Sequence, residues 1–278
     1  MSFVILCDSC TDFTEELRER PEIRRIPLTI MVDDYIIIDD DTYDQADFLR
    51  RSKASPNCPR SACPSPEAYM RYFEEADEVY MITLSGNLSG SYGSAKVATD
   101  IYLEDHPEKK IHVFDSCSAS VGQTLTAMKI IEMKDAGASF EDVVEKVTAF
   151  VKMKKTKFVL ETLDSLRKNG RLTGLEAVIA NVLNIKPIMA GTEDGHIVKL
   201  DQARGMNKAL NVMAKYIAAD VTNPAERILG IAHCNNYDRA LQTQAAIEKL
   251  VQFKSSFIVD TAGVSSLYAS DGGIIVAY

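Results

Sequence analysis

The stretch VYMITLSGNLSGSYGSAKVATDIYL, residues 79–103, shows the pattern that organises much of the chain. Its first part is almost entirely apolar and is typical of a buried strand, whereas residues 91–103 have the apolar spacing of a helix. Small and polar residues occupy positions 85–91, where a turn is expected. A strand, a polar turn and a helix in this order indicate a parallel sheet with crossover helices.

The same order recurs on both sides of this stretch. The strand patterns lie at 3–7 and 111–114, and the helix patterns that follow them lie near 14–19 and at 120–133. Ser139 with Asp142 three residues later resembles a capping box and predicts a helix that extends toward Met153. The first half of the chain is therefore predicted to be a parallel α/β structure.

The second half has a mixed pattern. Charge is concentrated at 152–157, which indicates a boundary between the halves. Beyond it, strand patterns lie at 157–160, 185–189, 197–200, 227–232, 257–260 and 273–277, and helix patterns lie at 163–168, 206–219 and 237–253. The segment GTEDG, 191–195, predicts a hairpin turn between two of these strands. We expect a mixed α/β arrangement here.

Composition excludes several classes of protein. The chain has 278 residues, of which 46% are hydrophobic and 26% charged, as in ordinary globular proteins. Its 31 Lys and Arg residues against 40 Asp and Glu residues give a net charge of −9, which argues against a dedicated nucleic-acid binder. The N-terminus lacks the pattern of a secretory signal, and no apolar run has the length of a membrane-spanning helix. We therefore expect a cytoplasmic protein.

Six cysteines raise the question of a redox or metal site. Cys7 and Cys10 form a C-x-x-C pair, and Cys58 and Cys63 are also close in sequence. Without a secretion signal these are expected to be reduced thiols. Cys7 ends an apolar run and is expected to face the core. Because spacing alone is a weak indication, a thiol or zinc protein that uses Cys7 and Cys10 remains an alternative.

The segment SGNLSGS, 85–91, is the first candidate for a binding site. Small residues let a ligand approach the backbone, and free N–H groups at a helix start favour an anion. A helix cap formed by Ser89 or Ser91 explains the same residues. A hydrolase with Ser85 or Ser89 as nucleophile and His233 as base is a further alternative, although the chain shows neither a nucleophile elbow here nor an ordered triad.

Three single residues deserve separate interpretation. Ser65 followed by Pro66 is typical of the start of a helix. Ser61 has no such local explanation, and we interpret it either as a solvated loop serine or as a functional residue. Arg171 lies just beyond a predicted helix and reads as a solvated charge or as a clamp for a phosphate or carboxylate. His233 follows a predicted strand, and we expect a satisfied surface histidine there.

In combination, these segments resemble the DegV family, in order and along nearly the whole chain. The motifs that carry the resemblance are CDSCTD at 7–12, IPL at 26–28, PSP at 64–66, LSGSY at 88–92, FDS at 114–116, LDSL through GR at 163–171, IKPI at 185–188 and DG at 194–195. The family includes the fatty-acid-binding subunits (FakB) of bacterial fatty acid kinase.

The resemblance implies a two-domain α/β fold. Residues 1–155 would form an N-terminal three-layer α/β/α domain with a parallel sheet, and residues 156–278 a C-terminal two-layer mixed α/β domain. It also implies a non-catalytic, lipid-binding protein without a metal or cofactor. Such a protein binds a long-chain, palmitate-like fatty acid between its domains, buries the acyl chain and presents the acid to an ATP-binding kinase subunit.

The family motifs also imply roles for four residues. The family holds the carboxylate with a hydroxyl from a Thr-Ser-Gln-Pro-Ser motif and with the serine of Leu-Ser-Gly. These positions correspond to Ser61, which replaces the threonine, and to Ser89. The family's Gly-Gly-Arg arginine corresponds to Arg171, and the histidine of a C-terminal Thr-His segment aligns with Tyr268. Tyrosine can donate a hydrogen bond but cannot act as an imidazole, a departure that affects transfer to a kinase more than lipid binding.

Overall fold

Three β-sheets organise the computed structural model, which describes residues 2–172 and 184–278. The strands are β1 (Phe3–Asp8), β2 (Ile23–Ile26), β3 (Thr29–Val32), β4 (Tyr35–Ile38), β5 (Arg60–Ala62), β6 (Glu78–Thr83), β7 (Lys110–Asp115), β8 (Thr156–Val159), β9 (Ile185–Gly191), β10 (Ile197–Arg204), β11 (Ile228–His233), β12 (Ser255–Asp260) and β13 (Ile274–Ala277). The helices are α1 (Glu15–Arg18), α2 (Gln45–Ala54), α3 (Pro66–Met70), α4 (Ser91–Asp105), α5 (Val121–Asp135), α6 (Phe140–Met153), α7 (Asp164–Lys168), α8 (Met206–Asp220), α9 (Tyr237–Glu248) and α10 (Gly263–Ala269).

The first sheet is entirely parallel, in the order β2-β1-β6-β7. Alternate residues of β1 face opposite layers: Leu6 packs toward α3 and α4, whereas Ile5 and Cys7 pack toward α5 and α6. Because helices cover both faces, its central strands are apolar on both sides, as the sequence pattern indicated. The prediction of a parallel sheet within three α/β/α layers is confirmed.

The second sheet is mixed, in the order β10-β9-β8-β13-β11-β12. One face packs on α8 and α9, where Val159 and Ile188 meet Met213 and Ile217. The N-terminal part of α5 packs on the other face, so this helix contacts strands of both large sheets. The mixed sheet confirms the predicted fold class, and β8 begins at the proposed boundary. The division into domains 1–155 and 156–278 stays a prediction.

A small antiparallel sheet, β4-β3-β5, was not indicated by the sequence pattern. Its inner face includes Ile30, which packs against Val264 and Leu267 of α10. Ser61 of β5 pairs with Ile30 and therefore shares that inner face. The sheet thus brings Ser61 over α10.

Most sequence predictions of elements are confirmed with small shifts of boundary. Ser139 caps α6 by accepting a hydrogen bond from the Asp142 amide, and α6 ends at Met153 as predicted. The helix predicted over 237–253 ends earlier, at Glu248. Within the described ranges, no helix has the length and apolar character needed to cross a membrane.

The predicted hairpin between β9 and β10 is present, and Gly195 in its turn has φ +84°. A methyl group at Gly195 would lie 2.2 Å from the Ser85 hydroxyl and 2.9 Å from the Cys117 Cα atom. Glycine is therefore required here both by its backbone conformation and by close packing against the neighbouring loops.

Gly195→Ala should destabilise the protein more than Gly137→Ala, although both glycines have positive φ. Nothing lies within 4 Å of a methyl group at Gly137, so that variant should lose only about 1 kcal/mol from backbone strain. Gly195→Ala should lose ~1–3 kcal/mol more through overpacking. Urea unfolding of both variants measures the difference, and equal losses would contradict the packing argument.

Candidate functional site

Three loops meet at the carboxyl ends of β1, β6 and β7, and Asp8 holds them together. Its carboxylate accepts hydrogen bonds from the Cys10 amide at 3.2 Å, the Leu84 amide at 2.8 Å and Gln123 Nε2 at 2.8 Å. Asp115 likewise accepts from the Cys117 amide at 2.9 Å. Asp8 and Asp115 thus each accept a hydrogen bond from an amide two residues later in their turns. Burial raises the pKa of Asp8 to about 7.

Two further buried carboxylates position α10, the helix that carries Tyr268. Asp39 accepts hydrogen bonds from the amides of Gly263 and Val264 at 2.8 and 2.9 Å. Asp12 accepts from the Ala262 amide at 2.6 Å. These bonds use backbone donors at the start of α10 that have no partner within the helix. Burial raises the pKa of Asp12 to about 7 and also raises the pKa of Asp39.

The structure brings Ser61, Tyr268 and Arg171 together. The hydroxyls of Ser61 and Tyr268 are 3.2 Å apart and share a hydrogen bond. The Arg171 guanidinium lies 5.7 Å from the centre of the Tyr268 ring. Its Nε donates to the Leu88 carbonyl at 2.9 Å, which ties it to the loop that contains Ser89. Arg171 is thus half-buried and engaged rather than freely solvated.

Ser89 lies on a segment that adjoins the one following Ser61. The Ser94 hydroxyl donates to the Pro64 carbonyl at 2.6 Å, and a methyl group at Gly90 would lie 3.1 Å from Cys63 Sγ. Ser61 and Ser89 are both half-buried, so their hydroxyls border the protein surface.

The expectation that Ser89 or Ser91 caps α4 is wrong. The N-cap residue is Gly90, and the hydroxyls of Ser89 and Ser91 lie 3.1 Å apart in a mutual hydrogen bond. The amide of Ser91, the first residue of α4, donates to Ser89 Oγ at 3.2 Å. Ser89 therefore contacts the start of α4 from one position before the N-cap.

An apolar cavity opens beside Tyr268, Arg171 and Leu88. It is lined by Cys10, Leu84, Leu88, Cys117, Ser118, Ala119, Ser120, Thr156, Phe158, Leu160, Leu166, Arg171, Gly191, Gly195, His196, Ile197, Val264, Ser265, Tyr268, Ala269 and Ile275. The empty space within it, counted out into open solvent, is about 740 Å³. Phe158 of β8 and Leu160, one residue beyond its end, both line the cavity because alternate residues of an extended segment share a face. No sequence pattern predicted these lining residues.

The serine hydrolase alternative is not supported by the geometry. Ser85 donates its hydroxyl hydrogen bond to the Gly195 carbonyl at 2.9 Å. His233 Nδ1 accepts from the Asn236 amide at 3.2 Å and lies 3.1 Å from an Asp260 carboxylate oxygen. His233 is only 3% exposed, so its placement at the surface was wrong, although its Nδ1 atom has a hydrogen-bond partner as expected. Both side chains are engaged elsewhere and do not form a nucleophile–base pair.

Cys7 and Cys10 behave as buried structural residues. Cys7 is buried in the core as predicted, and burial raises the pKa values of Cys7 and Cys10. A thiol held protonated is a poor nucleophile and a poor metal ligand. Across residues 2–172 and 184–278, no group of three or more His, Cys, Asp or Glu side chains is placed to hold a metal ion.

The parallel and mixed sheets, with an apolar cavity lined in part by Tyr268, define an α/β ligand-binding architecture. The chain belongs to the DegV family, whose profile, described as "Uncharacterised protein, DegV family", matches residues 2–278. Among curated proteins, a DegV domain-containing protein of Streptococcus pneumoniae is 37% identical over 282 residues, covering 100% of this chain and 99% of the relative.

Solved structures of the family resemble this one closely. A DegV family protein from Ruminococcus gnavus, refined with vaccenic acid, is 47% identical, with a TM-score of 0.97 and complete coverage of both chains. The Streptococcus pneumoniae Fatty Acid Kinase (Fak) B3 protein, loaded with linoleic acid, is 36% identical, with a TM-score of 0.91, and covers 100% of this chain and 99% of its own. A Eubacterium eligens DegV family protein, loaded with heptadecanoic acid, is 28% identical, with a TM-score of 0.91 and 99% coverage of each chain.

The buried carboxylates should make stability depend on pH in a direction opposite to that of salt-bridged aspartates. Because the pKa values of Asp8 and Asp12 are raised from 3.8 to about 7, the folded chain binds protons in this window that the unfolded chain does not. Their stabilisation is fully present below pH 3.8 and is lost as pH rises through about 7. Between pH 5 and pH 7.5, the free energy of unfolding measured with urea should therefore fall less for Asp12→Asn than for the parent protein.

The matched control for this experiment is Asp34→Asn, which alters an exposed carboxylate in the turn between β3 and β4. This variant should keep the parent's pH dependence. An Asp12→Asn protein with the same pH dependence as the parent would contradict the assignment of the titration to the buried cluster.

Proposed function

We propose that this protein binds a long-chain fatty acid, with its carboxylate at Ser61 and Ser89 and its acyl chain in the cavity. The observation that carries the proposal is the apolar cavity that opens beside the Ser61–Tyr268 hydroxyl pair. The vaccenic, linoleic and heptadecanoic acids named for three family members support it. The predicted roles of Ser61 and Ser89 belong to this proposal.

The acyl chain would supply most of the affinity. A sixteen-carbon chain has about 14 methylenes, and burial at ~0.8 kcal/mol each amounts to a gross gain on the order of 11 kcal/mol. Immobilising the ligand and ordering its chain cost several kcal/mol. The remaining free energy is sufficient for micromolar or tighter binding.

The head group would be oriented by polar contacts at the mouth. Ser61, Ser89 and Tyr268 each carry a hydroxyl that can donate to a carboxylate. Arg171 adds a positive charge next to the Tyr268 ring, and the N-terminus of α4 follows Ser89 directly. A helix N-terminus carries a partial charge of about +0.5, so these groups together favour the ionised acid.

The same geometry favours a binding subunit over an enzyme. Ser61 and Tyr268 are hydrogen-bonded to each other and not to a general base. The proposed role therefore requires no catalytic residue, metal or cofactor. We propose that the bound acid is presented to an ATP-binding kinase subunit in the cytoplasm, as the name of the similar Fak B3 protein suggests. Tyr268 and Arg171 are the residues proposed to face the head group or that partner.

Native mass spectrometry of the purified protein should show an added long-chain saturated or monounsaturated acid. A protein that carries no acid and does not bind added palmitate would refute the proposed function. The measurement tests the cavity directly, because it needs no knowledge of a partner.

The Ser61→Ala and Ser89→Ala double variant should bind palmitate more weakly by about 1–3 kcal/mol per lost donor, because the carboxylate would lose both hydroxyl partners. Titration calorimetry or displacement of a fluorescent fatty acid measures this loss. Ser255→Ala, at the exposed start of β12, is the control and should bind as the parent does. Undiminished affinity in the double variant would disprove the assignment of the carboxylate site while leaving fatty acid binding intact.

A further inference from the structure

The cavity has a direction, which is set by strand β8. Thr156, Phe158 and Leu160 all line it, since alternate residues face the same side. From Thr156 to Leu160 the chain advances about 13 Å at ~3.3 Å per residue. Leu160 packs in one cluster with Leu166 and Tyr268, so the end of the cavity near the Ser61–Tyr268 pair lies on its side. Thr156 therefore marks the end of the cavity that is remote from Arg171.

Residues from three segments line the remote end. The Thr156 hydroxyl lies 2.6 Å from the Ser118 hydroxyl, so these two polar atoms satisfy each other. Gly191 of β9 faces the same space: a methyl group added there would lie 3.8 Å from Thr156 Cβ and 3.9 Å from the Cys117 carbonyl oxygen. These four residues form the wall opposite the mouth.

This wall is held rigidly by Lys154. The buried Lys154 ammonium donates to the Ser116 carbonyl at 3.0 Å and to the Gly122 carbonyl at 2.8 Å, at the two ends of the loop that contains Cys117 and Ser118. Cys117 also has a positive φ of 48°, a conformation that persists only where the surroundings enforce it. A wall anchored in this way is poorly able to move aside for a longer ligand.

Gly191 differs from its neighbour Gly195 in what surrounds it. A side chain at Gly195 would collide with Ser85, whereas a methyl group at Gly191 meets no atom closer than ordinary van der Waals contact. Gly191 lies within strand β9, outside the positive-φ glycines. Neither packing nor backbone conformation therefore requires glycine at position 191. The absence of a side chain there enlarges the cavity.

We propose that Gly191, against the wall of Thr156, Ser118 and Cys117, sets the longest acyl chain that the protein accepts. The inference rests on the proposed function and extends it to chain-length selection. The ligand class is unbranched acids whose terminal methylenes fill the space beside Gly191. A larger side chain at this position should exclude those methylenes and leave the head-group site untouched.

The test compares the affinities of dodecanoate, tetradecanoate, hexadecanoate and octadecanoate for the parent protein and for Gly191→Val, by displacement of a fluorescent fatty acid. Each excluded methylene should weaken binding about four-fold, so Gly191→Val should bind octadecanoate at least ~10-fold more weakly while dodecanoate binding stays unchanged. Gly191→Ala should show a smaller shift in the same direction. Gly93→Ala, on the exposed surface of α4 with nothing within 4 Å, is the control.

The outcomes separate this inference from the proposed function. A parent protein that binds none of the four acids would refute the proposed function. The inference alone would be overturned if the parent binds the acids but the folded Gly191 variants keep the parent's dependence of affinity on chain length. Equal weakening for all four acids would overturn it as well. Thermal unfolding identifies the folded variants, and if Gly191→Val does not fold, the profile of Gly191→Ala decides.

Discussion

Three buried carboxylates determine where the loops of this protein meet. Asp8, Asp12 and Asp39 are inaccessible to solvent, and each accepts hydrogen bonds from groups on other segments of the chain. A buried acceptor that lost these donors would pay a large desolvation cost, so each loop is held to a specific position. The hydroxyls at the mouth and the walls of the cavity depend on this arrangement because α10 and the loop after β6 are among the segments held.

Long, buried elements were the ones that sequence patterns predicted. Strands β1, β6 and β7 have six residues each, and α4, α5 and α6 have fourteen or fifteen, so their patterns are clear. The four-residue strand β2 and the partly exposed helix α2 were not predicted. The strands β3, β4 and β5 have only three or four residues each, and their stability comes from packing against α10, far away in sequence. Local pattern contains little information about such strands.

The site was accessible to sequence reasoning only in part. Ser61 has no local feature that distinguishes it from a loop serine, and its partner Tyr268 lies 207 positions away. Both were identified through resemblance to the DegV family, and their role stays a prediction. The cavity was not predictable, because its lining comes from many separate segments. His233 was misplaced for a related reason: its satisfaction by Asn236 and Asp260 depends on tertiary contacts.

The pairing of the Ser61 and Tyr268 hydroxyls affects how readily a bound acid could be released. Each hydroxyl is already satisfied by the other, so departure of a bound anion strands neither of them without a partner. For a carboxylate bound as proposed above, exchange of one set of hydrogen bonds for another changes the free energy little. Retention of the acid would then depend on burial of its acyl chain, and the two hydroxyls would pair with each other again after its release.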